Sequence, residues 1–230
     1  MQYAFDFSPG ERTFAQLVIG RGNRQAVDML QPGAPWPASW LCLVGPPRCG
    51  RTCMASIWAA QAGGRCHDAS GFNSAPLIEL DRAGPGAIAI DDAHLGLDDD
   101  RLLHVLNAAR SAGGRVLLTA AIPPVDWPAR QPDLLSRLRA MTVVMVDLPD
   151  PGMDHDLLEA ACHRRYIGLP DDVWSYLEKR IPRDYAAIEA LAEELCDAVS
   201  GTGRGLTVPV ARQVLGDTGE FETDDEETDN

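Results

Sequence analysis

Residues 45–52 read Gly-Pro-Pro-Arg-Cys-Gly-Arg-Thr. Two glycines five apart, then Lys and Ser or Thr, make a loop whose backbone N–H groups and following helix N-terminus wrap phosphates. The Lys adds a charge there and the hydroxyl holds magnesium. One position departs from this pattern: Arg51 stands where the Lys should be. It keeps the charge but spreads it over a planar fork that cannot sit as a compact ammonium between two phosphates. Gly45, Pro46, Pro47, Arg48, Cys49, Gly50, Arg51, Thr52 and Cys53 are therefore candidate nucleotide contacts in a loop whose hydrolytic use is suspect. A magnesium-nucleotide site also needs an acid opposite the loop hydroxyl. Asp91, closing the run Ala87-Ile88-Ala89-Ile90, supplies one to match Thr52, and Asp92 is then placed to orient a water.

The elements that must position these groups can be read from pattern. Trp40–Val44 leads into the loop as a strand and Thr52–Ala62 leads out as an Ala-rich helix. Ala87–Asp92, Arg115–Thr119 and Thr142–Val146 are further short apolar runs of the kind buried in parallel sheets, whose ligands bind at the strand C-termini. Leu97–Ala112 carries one apolar face at helical spacing and Gly113-Gly114 closes it. Alternating strands and helices imply a parallel α/β sheet covered on both faces. After Asp150 the strands cease. Helical patterns at 154–166, 170–180, 184–200 and 209–215 indicate a small all-helical second domain, with Thr207 capping its last helix. The expected division is an N-terminal peptide at 1–14, an α/β nucleotide domain at 15–149, a helical lid at 150–215 and an acidic tail at 216–230.

Composition bounds the rest. The chain has 230 residues, 45% of them hydrophobic, and a net charge of −14. Eight Asp and Glu fall in residues 216–230 with no Lys or Arg, so the acidity concentrates in a tail expected to be disordered and solvating. The first residues are not a signal peptide and the apolar runs are strand-length, which points to a cytoplasmic protein without a membrane span. Six Cys without paired CxxC spacing read as reduced, mostly buried thiols. No basic stripe with interleaved aromatics is present, and no helix-turn-helix follows the lid, so sequence-specific DNA binding is not expected.

The order and spacing of six pieces resemble the DnaA-related AAA+ ATPases, and within them most closely the truncated Hda-type regulators. These pieces are Val18–Ala26, Gly45–Thr52, Ile90–His94, Val116–Thr119, Pro132–Leu138 and Leu206–Leu215. The resemblance implies an AAA+ sheet with a helical lid, with Val18 and Ile19 flanking the adenine base. It makes Arg137 an arginine finger offered to a neighbouring subunit's nucleotide, where charge builds on the transferred phosphoryl group. Three departures each remove a γ-phosphate contact: Arg51 for Lys, Ala120-Ala121 at the first sensor position, and Ala186 where the lid arginine stands, with Arg183 one turn earlier. The implied cofactor is ADP, or ATP, with magnesium held by Thr52 and Asp91, or no nucleotide at all. Asp92 becomes a vestigial catalytic acid.

Gln2-Tyr3-Ala4-Phe5-Asp6-Phe7 resembles the Gln-x-x-hydrophobic-x-hydrophobic peptide with which such regulators dock in the groove of the bacterial sliding clamp. Gln2, Tyr3, Phe5 and Phe7 would be its anchors; the alternative is a segment that covers the protein's own core. The resemblance thus implies a regulator of replication initiation, with DnaA and the sliding clamp as partners, that promotes hydrolysis of DnaA-bound ATP. A homo-oligomer is compatible with the family. The alternatives are an active P-loop ATPase or DnaA-like loader, and an adaptor that works without nucleotide.

Overall fold

The computed structural model describes residues 13, 14, 17–75, 86–150, 152–181, 183–200 and 205–216. The N-terminal peptide anchors Gln2, Tyr3, Phe5 and Phe7 and the acidic tail beyond Gly216 lie outside them.

The chain forms two compact units: residues 1–153 with 184–186, and residues 154–183 with 187–230. The first is a five-stranded parallel sheet in the order β2-β3-β4-β1-β5. Its elements in chain order are α1 (Arg21–Leu30), β1 (Trp40–Val44), α2 (Arg51–Gln61), β2 (Arg65–Asp68), α3 (Ala69–Ser74), β3 (Ala87–Asp91), α4 (Asp99–Ala112), β4 (Arg115–Ala120), α5 (Pro132–Arg139) and β5 (Thr142–Met145). The four apolar runs are the four strands expected, each within a residue of its expected bounds. β1 is buried along its whole length because β4 and β5 pair with it on either side. A strand buried on both faces reads as a continuous apolar run. β2, by contrast, is Arg65-Cys66-His67-Asp68 at the sheet edge and is half exposed, so no apolar run announces it.

The helices stop and start where local chemistry requires. The Asp98 carboxylate accepts the Arg101 N–H at 3.0 Å, capping α4, and Asp99 and Asp100 complement its N-terminal dipole. At the other end Gly113 adopts φ +74°, the left-handed conformation that only glycine takes without strain. α4 turns Leu102, Val105, Leu106 and Ala109 onto a core that also contains Cys42, Val44, Ile88, Ile90, Val116 and Leu118 from the sheet. Leu106 is fully buried there, and its truncation to Ala would cost about 2–5 kcal/mol.

The second unit is all helical: the stretch of α6 (Met153–His163) beyond Met153, α7 (Asp171–Leu177), α8 (Tyr185–Ser200) from Ala187 onward and α9 (Val208–Val214). Leu158, Ala161, Cys162, Val173, Leu177, Ile188, Ala192, Leu195 and Ala211 form its core. Thr207 does occupy the N-cap of α9, but its side chain makes no capping bond, so the cap there is positional only. No helix among the described residues is long and apolar enough to cross a membrane.

Candidate functional site

Strand order brings the loop and the acids together. β4 lies between β1, which ends in the loop, and β3, which ends in Asp91. Val44 pairs with Ala120 and Ile90 with Leu118, so the C-terminal residues of β4 sit level with the loop on one side and the acids on the other. The Gly45 N–H donates to the Ala120 carbonyl at 3.2 Å, tying the loop's entry to β4.

Within the loop, Arg48 has φ +63° and Gly50 has φ +93°. Alternation into the left-handed region turns successive backbone N–H groups toward one side, the concavity that binds anions. α2 begins at once on Arg51 and adds its N-terminal dipole. The Cys49 N–H donates to the Pro46 carbonyl at 3.4 Å, closing the turn. Gly45 and Cys49 are buried, Pro47, Arg48 and Thr52 exposed, and Pro46, Gly50, Arg51 and Cys53 in between. The phosphate end therefore fits an anion.

Arg51 turns inward. One guanidinium nitrogen donates to the Gly45 carbonyl and, at 2.6 Å, to the Ala120 carbonyl. The other lies 3.2 Å from an Asp92 carboxylate oxygen. The side chain is 11% exposed and that of Asp92 40%. A planar fork can satisfy two carbonyls and a carboxylate at once, which an ammonium on a Lys stem would not do in this geometry. Asp92 itself adopts φ +48°, a left-handed conformation uncommon outside glycine.

Asp91 is 9% exposed and accepts a hydrogen bond from the Thr119 hydroxyl, whose own oxygen accepts the Asp92 N–H at 2.9 Å. Thr119 is fully buried and thus holds both acids in place through one atom. Ala121, expected at the first sensor position, has only a methyl side chain, and its N–H points to His94 Nδ1 at 3.5 Å.

Val18 and Ile19 are half-buried, and Asn23 braces them: its Nδ2 donates to the Val18 carbonyl at 2.8 Å and its Oδ1 accepts the Gly20 N–H at 2.9 Å. The Arg21 N–H donates to Asp150 Oδ1 at 2.9 Å, and the Asp147 N–H to the Gly22 carbonyl at 2.9 Å. Gly20 is required for this closeness, since a Cβ there would fall 2.3 Å from the Asp150 carboxylate. The segment 18–22 is thereby held beside the end of β5, next to the strand that feeds the loop.

Tyr185 also belongs to this first unit. It is 5% exposed, and its phenol is pushed up to about 12 by burial first and then by Cys49, Asp150 and Asp147. Burial likewise raises Cys42 to about 12 and raises Cys49, against the opposing pull of Arg51 in both cases. All six cysteines are free thiols.

Arg137 lies on α5, away from the loop end of the sheet. Its Nε and Nη2 donate to Asn107 Oδ1 at 3.1 and 2.6 Å and its Nη1 to the Asp133 carbonyl at 3.4 Å. The guanidinium also stands 6.0 Å from the ring centroid of Trp40, at the start of β1. In the second unit Arg183 sits 3.6 Å from Asp154.

Thr119, Asn23, Asp150, Asn107 and Tyr185 were not candidates in the sequence. The partners of the first four lie 3 to 129 positions away. A buried Thr at the end of an apolar strand was the one available signal.

No protein-family model matches the chain. A chromosomal replication initiator protein DnaA of Desulfatibacillum aliphaticivorans is 26% identical over 133 residues, 56% of this chain and 29% of that protein. That of Sphingopyxis alaskensis is 28% identical over 121 residues, 50% of this chain and 26% of that protein. Domain III of the Thermotoga maritima replication initiation protein DnaA superposes with a TM-score of 0.72 at 17% identity, covering 89% of this chain and 95% of that one. The chain has a DnaA-like AAA+ fold. AMPPCP-bound DnaA from Aquifex aeolicus superposes with a TM-score of 0.62 at 18% identity, covering 82% of this chain and 66% of that one. The DnaA-like chain matches little more than a quarter of the length of these curated relatives.

Proposed function

We propose that this DnaA-like module is a regulator of bacterial replication initiation. Tethered to the sliding clamp through Gln2, Tyr3, Phe5 and Phe7, and holding ADP or no nucleotide itself, it promotes hydrolysis of the ATP bound by DnaA.

The observation that carries this reading is the engagement of Arg51. A working site keeps its loop cation for the β- and γ-phosphates and its second acid free to orient water. In this chain the cation is committed to Gly45, Ala120 and Asp92, and Asp92 is committed to the cation. The anion-binding turn remains, so the β-phosphate of ADP can still be held by backbone amides while γ-phosphate chemistry has lost its groups. Magnesium, where present, would fall to Thr52 and Asp91. Val18 and Ile19 are the contacts for the base. The nucleotide-bound DnaA structures, one of them also carrying single-stranded DNA, support a nucleotide at this position in the fold.

Arg137 is the residue proposed to act in trans. Asn107 holds its fork in one orientation, which lowers the entropy lost when it meets a phosphate. The same pair favours a second reading, an adaptor in which Arg137 has only a structural role. The test is a pull-down of the full chain against DnaA and the sliding clamp, with and without ADP. Capture of both partners supports the regulator. Capture of neither removes it.

A further inference from the structure

Trp40 is buried at the start of β1, and two guanidinium groups flank its ring. That of Arg110 stands 5.9 Å from the ring centroid and that of Arg137 6.0 Å from it. Arg110 lies in the last turn of α4 and is exposed. Asn107, three residues earlier and so on the same face of that helix, accepts from Arg137 twice through Oδ1, at 3.1 and 2.6 Å. Two cations are thereby gathered beside one ring in a chain whose net charge is −14. No carboxylate among the described residues is bonded to either, since Asp133 meets Arg137 only through its backbone carbonyl. One guanidinium is enough for a cation–π contact. A second beside it adds like-charge repulsion, which an anion between them would remove.

Resting on the trans-acting reading above, we propose that Arg110 is a second phosphate contact of that site, closing with Arg137 on the terminal phosphate of the nucleotide held by the partner. Asn107 fixes Arg137 in position, while the Arg110 side chain makes no hydrogen bond among the described residues and is left to fold onto the bound anion. Donor count chooses phosphate over carboxylate. One guanidinium fork satisfies both oxygens of a carboxylate, whereas two forks can share the three oxygens of a terminal phosphoryl group, over which charge spreads during transfer.

The experiment measures ATP hydrolysis by DnaA at saturating amounts of the full chain and of its Arg110→Ala, Arg110→Lys and Arg137→Ala variants, with a thermal melt and clamp capture of each. Arg110→Ala should lower the stimulated increment about 10-fold or more, as for loss of one charge-assisted contact. Its melting temperature and clamp capture should be unchanged, and Arg110→Lys should recover part of the loss by restoring the charge without the fork. Undiminished stimulation by Arg110→Ala beside its loss in Arg137→Ala overturns the inference and leaves the trans-acting reading standing. A rate that falls only in step with a lower melting temperature gives Arg110 a packing role and also overturns it. No stimulation by the unaltered chain, or undiminished stimulation by Arg137→Ala, overturns the trans-acting reading and this inference together.

Discussion

The Arg51 guanidinium lies 3.2 Å from the carboxylate of Asp92, joining the loop position that should meet phosphate to the acid that should orient water. Each of the two groups is thus already paired with the other. The pair also makes the loop self-supporting, because the same fork bonds the carbonyls at both ends of the β1–β4 rung.

Arg51→Ala should therefore destabilise the folded chain without any nucleotide present. Asp92 is 40% exposed, so the ion pair itself contributes modestly, and the larger loss comes from two carbonyls deprived of a charged donor. A cost of about 1–3 kcal/mol is expected, read as a lower denaturant midpoint at unchanged slope. A variant as stable as the parent would show that the fork is not holding the loop.

The isolated chain should turn over ATP slowly or not at all, with ADP binding at least as well as ATP. A rate on the order of 1 per second or above, typical of a working ATPase, would restore the reading of an active P-loop enzyme or loader.

Thr119→Val keeps shape and removes the hydroxyl that bridges Asp91 and the Asp92 N–H. Both groups are left without that partner, one of them a buried carboxylate, and a loss of about 2–4 kcal/mol is expected. Thr119→Ser should retain most of the stability. Equal behaviour of the two variants would remove the bridge from the account.

Alkaline stability follows from three acids whose neutral forms the fold prefers. Burial raises Cys42 to about 12, Cys162 to about 11 and Tyr185 to about 12, from 9.0 for the thiols and 10.0 for the phenol. The folded state then binds more protons than the unfolded state above pH 9, so stability is fully present below that pH and falls as pH rises toward 12. Thermal melts from pH 8 to 11 should show the decline, and Cys42→Ala should flatten it. A thiol reagent at pH 8 should leave Cys42 and Cys162 unmodified until the chain unfolds.

The sheet was legible because its inner strands are buried on both faces and so are written as unbroken apolar runs, Trp40–Val44 and Ala87–Ile90 among them. β2 was not, because an edge strand such as Arg65–Asp68 needs no apolar face. α1 was hidden behind Gly20 and Gly22, residues that read as a loop but are present because Asp147, Leu148 and Asp150 approach their Cα atoms closely. The loop motif located the strand–turn–helix junction between β1 and α2 from spacing alone. What Arg51 does there was not in the spacing, since its partners Gly45, Asp92 and Ala120 come from three different strand ends. Tyr185 carried no signal at all: an aromatic at the start of a helix looks like core until its hydroxyl is seen to lack a partner.

Gln2→Ala with Phe7→Ala should abolish capture by the sliding clamp and leave the melting temperature unchanged, because these side chains are proposed to face a partner. A variant that melts several degrees lower and still binds the clamp would make the segment part of the protein's own core.

The central claim, action in trans on DnaA, is tested most directly by the rate at which DnaA hydrolyses ATP in the presence of clamp loaded on DNA. That rate is to be measured with no added chain, with the full chain, and with its Arg137→Ala, Arg139→Ala and Asn107→Ala variants. The full chain should accelerate hydrolysis, and Arg137→Ala should remove the acceleration while folding and clamp capture persist. Fingers supplied in trans elsewhere contribute around 10³ to 10⁵ in rate, so a much weaker one would still be visible. Arg139→Ala should matter little, and Asn107→Ala, which frees the fork, should cost less than loss of Arg137. Undiminished stimulation by Arg137→Ala, or none by the unaltered chain, would contradict the account and leave the adaptor in its place.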